Sequence, residues 1–478
     1  MIGMMLCYSS IASAQNMISI PSNLTPYELR LESTSIEPII LSPSSAPASS
    51  QLLVQQFRSK LAISKNETDT LTQYINLAII KKDWFTLKSL VADYSKLPQH
   101  DTTLVLYAEA LIANAEDNYI LAIRRFRQIL ARHPDLDYVR LDLAVSLARN
   151  KEYAAAINQF EKLQSANLSP SIQRISQSFI ERIQKQQSWQ WTLGLNYTHD
   201  NNVNNASSIK EFDWNNQRWI KNEDSLPKSA QGIEYSLGIK RDFNLDRNHY
   251  LSLETQFAGL HYWNASDYSE RSLYAALGYT YQNYRHKFSI APFITQHWLG
   301  GERYSLHKGW YSAYSILLND RWRLNTRYSY TRKTYSHPLL NRFEGKKHTL
   351  QSHLNYSFSP QLLLFVGFDY QEDRLNSRSE SSTNKGILLG FAQEWPLGIS
   401  HSINIRYGRR DFHHQHFFFP FKRSDKEWLS TLSVWNRNWH FYGITPRLNF
   451  QYRKIDSNIP AFYSYSNKQI FVSFEKTF

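Results

Sequence analysis

Thiols are nearly missing from this chain: Cys7 is the single cysteine among 478 residues. It lies in a leader-like start, so the mature chain would carry no disulfide and no thiolate ligand, which suits a cell-envelope protein. Long apolar runs are missing too. No stretch approaches the roughly 18 to 20 consecutive apolar residues of a spanning helix, so any membrane crossing must be made by strands closed into a barrel. There is no G-x-S-x-G nucleophile turn and no glycine-rich phosphate loop. The first absence argues against a hydrolase and the second against a nucleotide-driven motor. The chain reads as a non-enzyme with no cofactor.

What is present changes character along the chain. Residues 1–14, "MIGMMLCYSSIASA", have an apolar centre and a small-x-small ending at Ala12-Ser13-Ala14, the pattern of a secretory signal. The usual basic start is lacking, so the leader is read as abbreviated. Residues 15–50 are rich in Ser, Pro and Thr without periodicity and read as a flexible linker. Residues 51–187 show apolar spacings of three and four, the helical period.

Within this helical region Tyr119, Ala122, Ile123 and Phe126 recur as Tyr153, Ala156, Ile157 and Phe160. The shift of about 34 residues is the tetratricopeptide period. Glu109-Ala110 map onto Leu143-Ala144, and Pro134 is matched by Pro170 two residues late. Small Ala122 and Ala156 let the second helix of each repeat approach the first. Phe126 and Phe160 are expected to fill the space against the next repeat, and Tyr119 and Tyr153 to pack beside them. The segment from Tyr74 to Tyr94 reads as a degraded earlier copy.

At Trp189 the helical period ends; twelve of the thirteen tryptophans lie from there onward. Residues 188–478 alternate with period two. In "WQWTLGLNYTH" one face is Trp189, Trp191, Leu193, Leu195 and Tyr197, and the other is Gln190, Thr192, Gly194, Asn196 and Thr198. The last segment has Ile470, Val472, Phe474, Lys476 and Phe478 on one face. About fourteen such segments are expected, with short turns on one side. Long loops near 200–230, 261–269, 298–308, 334–345, 373–383, 412–424 and 454–465 would lie on the other. An even strand number, unequal loop lengths and aromatics at strand ends describe an outer-membrane barrel. The fold class is thus α plus transmembrane β: tetratricopeptide-like repeats followed by an antiparallel barrel of about 14 strands. Both barrel ends fall on the short-turn side, which places the repeats in the periplasm of a Gram-negative cell. Phe474 and the terminal Phe478 resemble the signal read by the barrel-insertion machinery.

The charge follows the same division. From residue 189 there are 35 Lys and Arg against 24 Asp and Glu, and before it 19 against 17. Lys333, Arg410, Lys422, Arg423 and Lys454 fall at strand–loop borders, where lipopolysaccharide phosphates would be met. Lys240, Arg406 and Arg447 alternate with apolar residues and are expected to face the lumen. Nucleic acid is excluded as a partner by location and by the lack of a binding motif.

Two stretches could carry chemistry. In "DFHHQHFFFPFKR", His413, His414 and His416 invite a metal or haem reading. Neighbouring histidines on a strand diverge, however, and no carboxylate motif fixes them. Phe417, Phe418 and Phe419, with Phe421, are better read as an apolar loop at the barrel mouth that packs inward or touches a passing substrate. In "YTHDNNVNNA", Asp200, Asn201, Asn202 and Asn204 favour a turn; they mark either a loop entry or a substrate contact.

Repeats of the form "YILAIRRF" and "YAAAINQF", the stretch "LGLNYTHDNNVNNA" at the first strand and the final aromatic strand together resemble the surface lipoprotein assembly modulator (Slam) family. The resemblance spans nearly all of the chain beyond residue 50. It implies delivery of client proteins across the outer membrane, either surface lipoproteins or soluble haem- and iron-capturing proteins. Outer-membrane lipid and lipopolysaccharide would surround the barrel, and periplasmic chaperones would be further partners. A polysaccharide exporter pairing such repeats with a sixteen-strand pore, or a passive porin, remain the alternatives.

Overall fold

The computed structural model describes residues 67–165, 170–214 and 216–477. The leader, the 15–50 linker and Phe478 lie outside them. Among the described residues, seven helices precede the strands: α1 (Glu67–Lys81), α2 (Trp84–Tyr94), α3 (Thr102–Ala115), α4 (Tyr119–Arg132), α5 (Asp137–Arg149), α6 (Tyr153–Ser165) and α7 (Pro170–Gln187). Polar caps start several of them. The Asp83 carboxylate accepts from the Thr86 amide at 3.1 Å, Asp101 from Thr103 at 2.8 Å and Asn118 from Leu121 at 3.2 Å, satisfying amides the helix itself leaves open. Within each hairpin the turn holds one residue in the left-handed region: Lys82, Asp117 and Lys151.

The 34-residue register appears directly in the packing. Tyr119, Ala122 and Phe126 on α4 and Tyr153, Ala156 and Phe160 on α6 are all buried in one core, with Ala110 of α3 and Ala144 of α5 equally buried opposite them. Phe160 stacks on Phe179 of α7 with centroids 5.0 Å apart. Phe126 instead approaches Tyr107, on the first helix of its own repeat, at 6.1 Å.

The strands follow: β1 (Gln190–Asp200), a separate hairpin of β2 (Glu211–Trp214) and β3 (Gln217–Ile220), then β4 (Ala230–Asp246), β5 (His249–Tyr262), β6 (Glu270–Gln282), β7 (His286–Leu299), β8 (Glu302–Leu317), β9 (Trp322–Tyr335), β10 (Gly345–Ser359), β11 (Leu362–Leu375), β12 (Ser382–Glu394), β13 (Ile399–Gln415), β14 (Lys422–Asn436), β15 (Arg447–Ser457) and β16 (Tyr465–Thr477). Fourteen of them, all but β2 and β3, form one closed antiparallel barrel, with β16 returning to pair with β1 from Thr192↔Thr477 to Asp200↔Gln469. Alternation then sorts the side chains. Leu193, Leu195, Leu277, Val366, Phe368, Ile387, Leu389, Ile405, Phe450 and Ile470 are exposed on the outward wall, an apolar band suited to lipid. Intervening residues point into the lumen. There Phe365 fills space left by Gly390, where a Cβ would come within 2.4 Å of its ring.

Two connections differ from the sequence-based expectation. The long loop expected over 298–308 is a tight Gly300-Gly301 turn with φ of +56° and +91°, and β8 begins at Glu302. Paired glycines adopt the left-handed angles of a short hairpin without a Cβ penalty. Conversely, the strand expected from about residue 440 begins only at Arg447. Pro446 has no amide to donate to the ladder, and Tyr442 and Gly443 turn through φ of +50° and +80°.

Replacing Phe160 by Ala removes a fully buried ring and should lower the stability of the helical part by about 3–5 kcal/mol. Far-ultraviolet thermal melts of the full chain would show an earlier helical transition while the barrel transition stays in place. An unshifted helical melt would contradict the packing described.

Candidate functional site

The barrel has a repeat end and a loop end, each with its own set of contacts. At the repeat end, the β4–β5 and β6–β7 turns dock on the helical hairpin turns. Asn248 donates through Nδ2 to the Asn150 carbonyl at 2.5 Å, and the Tyr250 hydroxyl donates to the Lys151 carbonyl at 2.5 Å. Arg285 reaches the Glu116 carbonyl at 3.5 Å. The aromatic contacts repeat in the same way: Tyr153 meets Tyr250 edge-on at 6.3 Å, and Tyr119 meets Tyr284 at 4.9 Å. Tyr250 is fully buried and belongs to the same hydrophobic core as the repeats. Burial pushes the Tyr119 hydroxyl up to about 12, against the opposing influence of Arg149, so it stays protonated as a neutral ring. The 34-residue repeat therefore presents two equivalent faces to two neighbouring barrel turns. Nothing in the helical period alone pointed to Asn248, Tyr250, Tyr284 or Arg285.

At the loop end the inward face of β9 to β14 is lined by ion pairs. Lys333 meets Asp373 at 2.6 Å, and Gln371 donates to the same carboxylate at 2.6 Å. Arg406 bridges Asp369 at 2.6 Å and Glu427 at 3.3 Å, Arg410 meets Glu427 at 2.9 Å, and Asn384 donates to Glu427 at 3.0 Å. Arg423 pairs with Asp425 at 2.7 Å and lies 3.5 Å from the centre of the Tyr463 ring. Lys333, Arg410 and Arg423 thus face inward, contrary to the expectation that they meet surface phosphates. The alternation of β9, β13 and β14 places them one residue away from the outward register. Each charge has an opposite partner, as groups withdrawn from water require.

Above this network lies an aromatic lid. The loop 416–421 meets the short helix α8 (Pro460–Tyr463). His416 contacts the Tyr463 hydroxyl at 2.9 Å, and its ring lies 4.6 Å from Phe417 and 5.2 Å from Phe419. Phe417 and Phe418 are 3.9 Å apart, Phe419 lies 5.9 Å from Phe462, and Phe212 of the β2–β3 hairpin lies 4.9 Å from Phe462. His413 bonds Thr383 at 2.8 Å, away from His416. Among the described residues no group of three or more His, Cys, Asp or Glu is placed to hold a metal ion.

The Asp200–Asn205 stretch lies on the β1–β16 seam. Asp200 accepts from Gln469 at 2.6 Å, Asn201 accepts from the Lys468 amide at 2.8 Å, and Asn202 donates to the Ser466 carbonyl at 3.3 Å and the Ala206 carbonyl at 2.9 Å. Asn204 donates to the Leu226 carbonyl at 2.8 Å and accepts from the Lys228 amide at 3.0 Å. Ser207 donates to Pro460 across the same seam at 2.9 Å. Asp200, Asn202 and Asn204 are buried, so their polar atoms serve the loop and the seam.

A closed fourteen-strand barrel with an apolar outer wall, a polar lumen and a docked helical repeat domain is an outer-membrane transport architecture. The chain belongs to the surface lipoprotein assembly modifier family. Residues 189–478 match the model "Surface lipoprotein assembly modifier" and residues 59–160 the model "Surface lipoprotein assembly modifier, N-terminal TPR repeats". It is 29% identical to the surface lipoprotein assembly modifier of Pasteurella multocida, over 91% of this chain and 87% of that one. It is 28% identical to surface lipoprotein assembly modifier 1 of Haemophilus influenzae, over 91% and 90%. A hemophilin secretion modulator from Acinetobacter baumannii is 22% identical, over 87% of each chain.

Two measurements check these contacts. Asn248→Ala combined with Tyr250→Phe removes hydrogen bonds between barrel and repeats. Trypsin should then cut at Lys185, in the helix leading into β1, about tenfold faster through local opening; an unchanged rate would mean that the turns carry no docking energy. In the lid, burial with Arg423 nearby pushes the His416 imidazole down to about 4. Its neutral form favours the packed loop, so the stabilisation is present above the ordinary value near 6.5 and is lost as pH falls from there towards 4. A nitroxide at Pro420→Cys should gain mobility reversibly over that window. A spectrum constant from pH 7.5 to 4 would contradict the assignment.

Proposed function

We propose that the chain carries client proteins across the outer membrane, with residues 51–187 capturing the client and residues 188–478 forming the conduit. The observation carrying this reading is the docking of the repeats on the barrel rim through Asn248, Tyr250, Tyr284 and Arg285. A helical solenoid held beside a pore mouth raises the local concentration of whatever it binds. Even strand number and the short turns at the repeat end support placing that end in the periplasm and the long loops outside. The names of the relatives support a client that is either a lipoprotein destined for the surface or a soluble haem-binding protein. Fourteen strands favour this reading over the sixteen-strand exporter alternative.

In this reading the ion pairs and the Phe417–Phe419 lid keep the resting pore shut, and an arriving client displaces the lid. Asp200, Asn201, Asn202 and Asn204 hold the β1–β16 seam at the outer end. Tyr119, Ala122, Phe126, Tyr153, Ala156 and Phe160 set the curvature of the capturing surface. Phe474 and Phe478 address the chain to the insertion machinery. Outward movement is drawn by the client folding outside, with periplasmic chaperones keeping it extended beforehand and no catalytic step on this chain.

The test is protease shaving of intact cells that co-express this chain with the exported proteins of its genomic neighbourhood. One neighbour should become protease-accessible only when the chain is present, and removing residues 51–187 should abolish that exposure. Full exposure without those residues would sink the capture role. Indifference of every neighbour, with surface sugar altered instead, would favour polysaccharide export.

A further inference from the structure

The outward wall near the loop end carries cations in an ordered row. Lys308, Arg332, Lys346 and Arg374 stand directly opposite one another across β8, β9, β10 and β11. Lys385, Arg409 and Lys426 do the same across β12, β13 and β14. Lys454 pairs with Trp428 and Lys468 with Tyr452, continuing the row onto β15 and β16. All nine are exposed, whereas Lys333, Asp373, Asn384, Arg423 and Asp425 on the inward register are buried. The row slips inward along the strands on passing from β11 to β12, from β14 to β15 and from β15 to β16. The strand ends retreat in the same sense: Gln469, not Tyr465, stands opposite Asp200. In a barrel of tilted strands this slip keeps a belt level with the rim.

The belt covers only part of the circumference. At the corresponding outward positions β1, β4 and β5 carry His199, Gln231 and His261, and β6 carries Arg271 as a lone cation. The acids sharing the belt's face are Glu372, Asp411 and Asp456, paired with Arg374 at 2.8 Å, Arg409 at 3.0 Å and Lys454 at 2.9 Å. Lys308, Arg332, Lys346, Lys385, Lys426 and Lys468 have no ion-pair partner among the described residues. Like charges directly opposite on one face, about 5 Å apart at Cβ, destabilise a sheet. Five of the seven cations in these two rows, all but Arg374 and Arg409, have no internal carboxylate to offset that repulsion, and an external anion would do so. Near the middle of the belt a cleft of about 340 Å³ is lined by Lys346, Arg374, Arg378, His413 and His414.

We propose that the outward face of β8–β16 at the loop end is a binding surface for the phosphate groups of a phosphorylated glycolipid in the outer leaflet. This rests on the reading that the loop end faces outside. The occupant follows from chemistry and position: the cations sit where the apolar wall gives way to the headgroup level, and their spacing along neighbouring strands suits a multiply phosphorylated headgroup. Lipid is then held against one arc of the wall, and the arc from β1 to β7 is left with Arg271 alone.

The test uses the purified full chain in mixed micelles with bis-phosphorylated lipid A or its dephosphorylated form, and native mass spectrometry or fluorescence titration as readout. The wild type should prefer the phosphorylated lipid by about tenfold or more, given several cations at the surface. Combined Lys308→Gln, Arg332→Gln, Lys346→Gln and Arg374→Gln should largely erase the preference, and Arg271→Gln should leave it intact. The separate set Lys385→Gln, Arg409→Gln and Lys426→Gln answers the same question if the first set fails to fold, as judged by heat-modifiable gel mobility. Equal binding of both lipids, or an unchanged preference in folded variants, overturns the proposal. Complete competition by millimolar inorganic phosphate would assign a free-anion site and overturn the lipid assignment. Because binding is read without a client, failure here leaves the transport reading standing, and failure of transport leaves this result readable.

Discussion

A sheet in lipid must pair every backbone amide and carbonyl, and only closure does so. The β1–β16 pairing is therefore the contact on which the rest of the molecule depends. Closure fixes the alternation of side chains, so one face of every strand meets lipid and the other meets the lumen. That sorting is why Leu193 and Leu195 can be exposed without cost while Arg406, Asp369 and Glu427 form an inward network. Side-chain bonds to backbone from Asn201, Asn202 and Ser207 also cross the seam at the loop end, and Asp200 accepts there from the Gln469 side chain.

The two ends of the barrel solve opposite problems. The repeat end needs a partner held firmly beside the mouth, and it uses short turns, buried tyrosines and backbone acceptors at helical hairpin turns. Under the proposed function the loop end needs a closure that can be undone. Ion pairs suit that task, because breaking one is costly unless the displacing group supplies a replacement charge. Aromatic rings meeting edge-on across three loops would, in the proposed reading, cover the mouth with contacts that an incoming apolar segment could replace.

Much of this was legible in the sequence. Period two from Trp189 onward predicts the barrel, and the 34-residue shift predicts the paired helices. The reversed lengths of the 300–301 and 437–446 connections were less so, although Gly300-Gly301 and Pro446 each carried the signal in its own residue type. The sidedness of charge was the weakest point. A one-residue offset moves a side chain from lumen to lipid, so Lys333 and Arg332 are chemical neighbours with opposite surroundings. The docking residues lay beyond local pattern, since a Tyr in a strand turn looks like any rim aromatic. Only the spacing of Tyr250 and Tyr284, equal to that of Tyr119 and Tyr153, hints at two repeats meeting two turns.

The central claim is that a client passes through the lumen between the docked repeats and the lid. Photo-crosslinking in cells with a client stalled by a folded tag tests it most directly, using a photoreactive residue in turn at inward Phe365 and Gln371 and at outward Val366 and Tyr370 of β11. The account predicts client adducts at the inward positions and none at the outward ones. Adducts confined to the outward positions, or absent from all four while the repeats still crosslink, would contradict passage through the barrel.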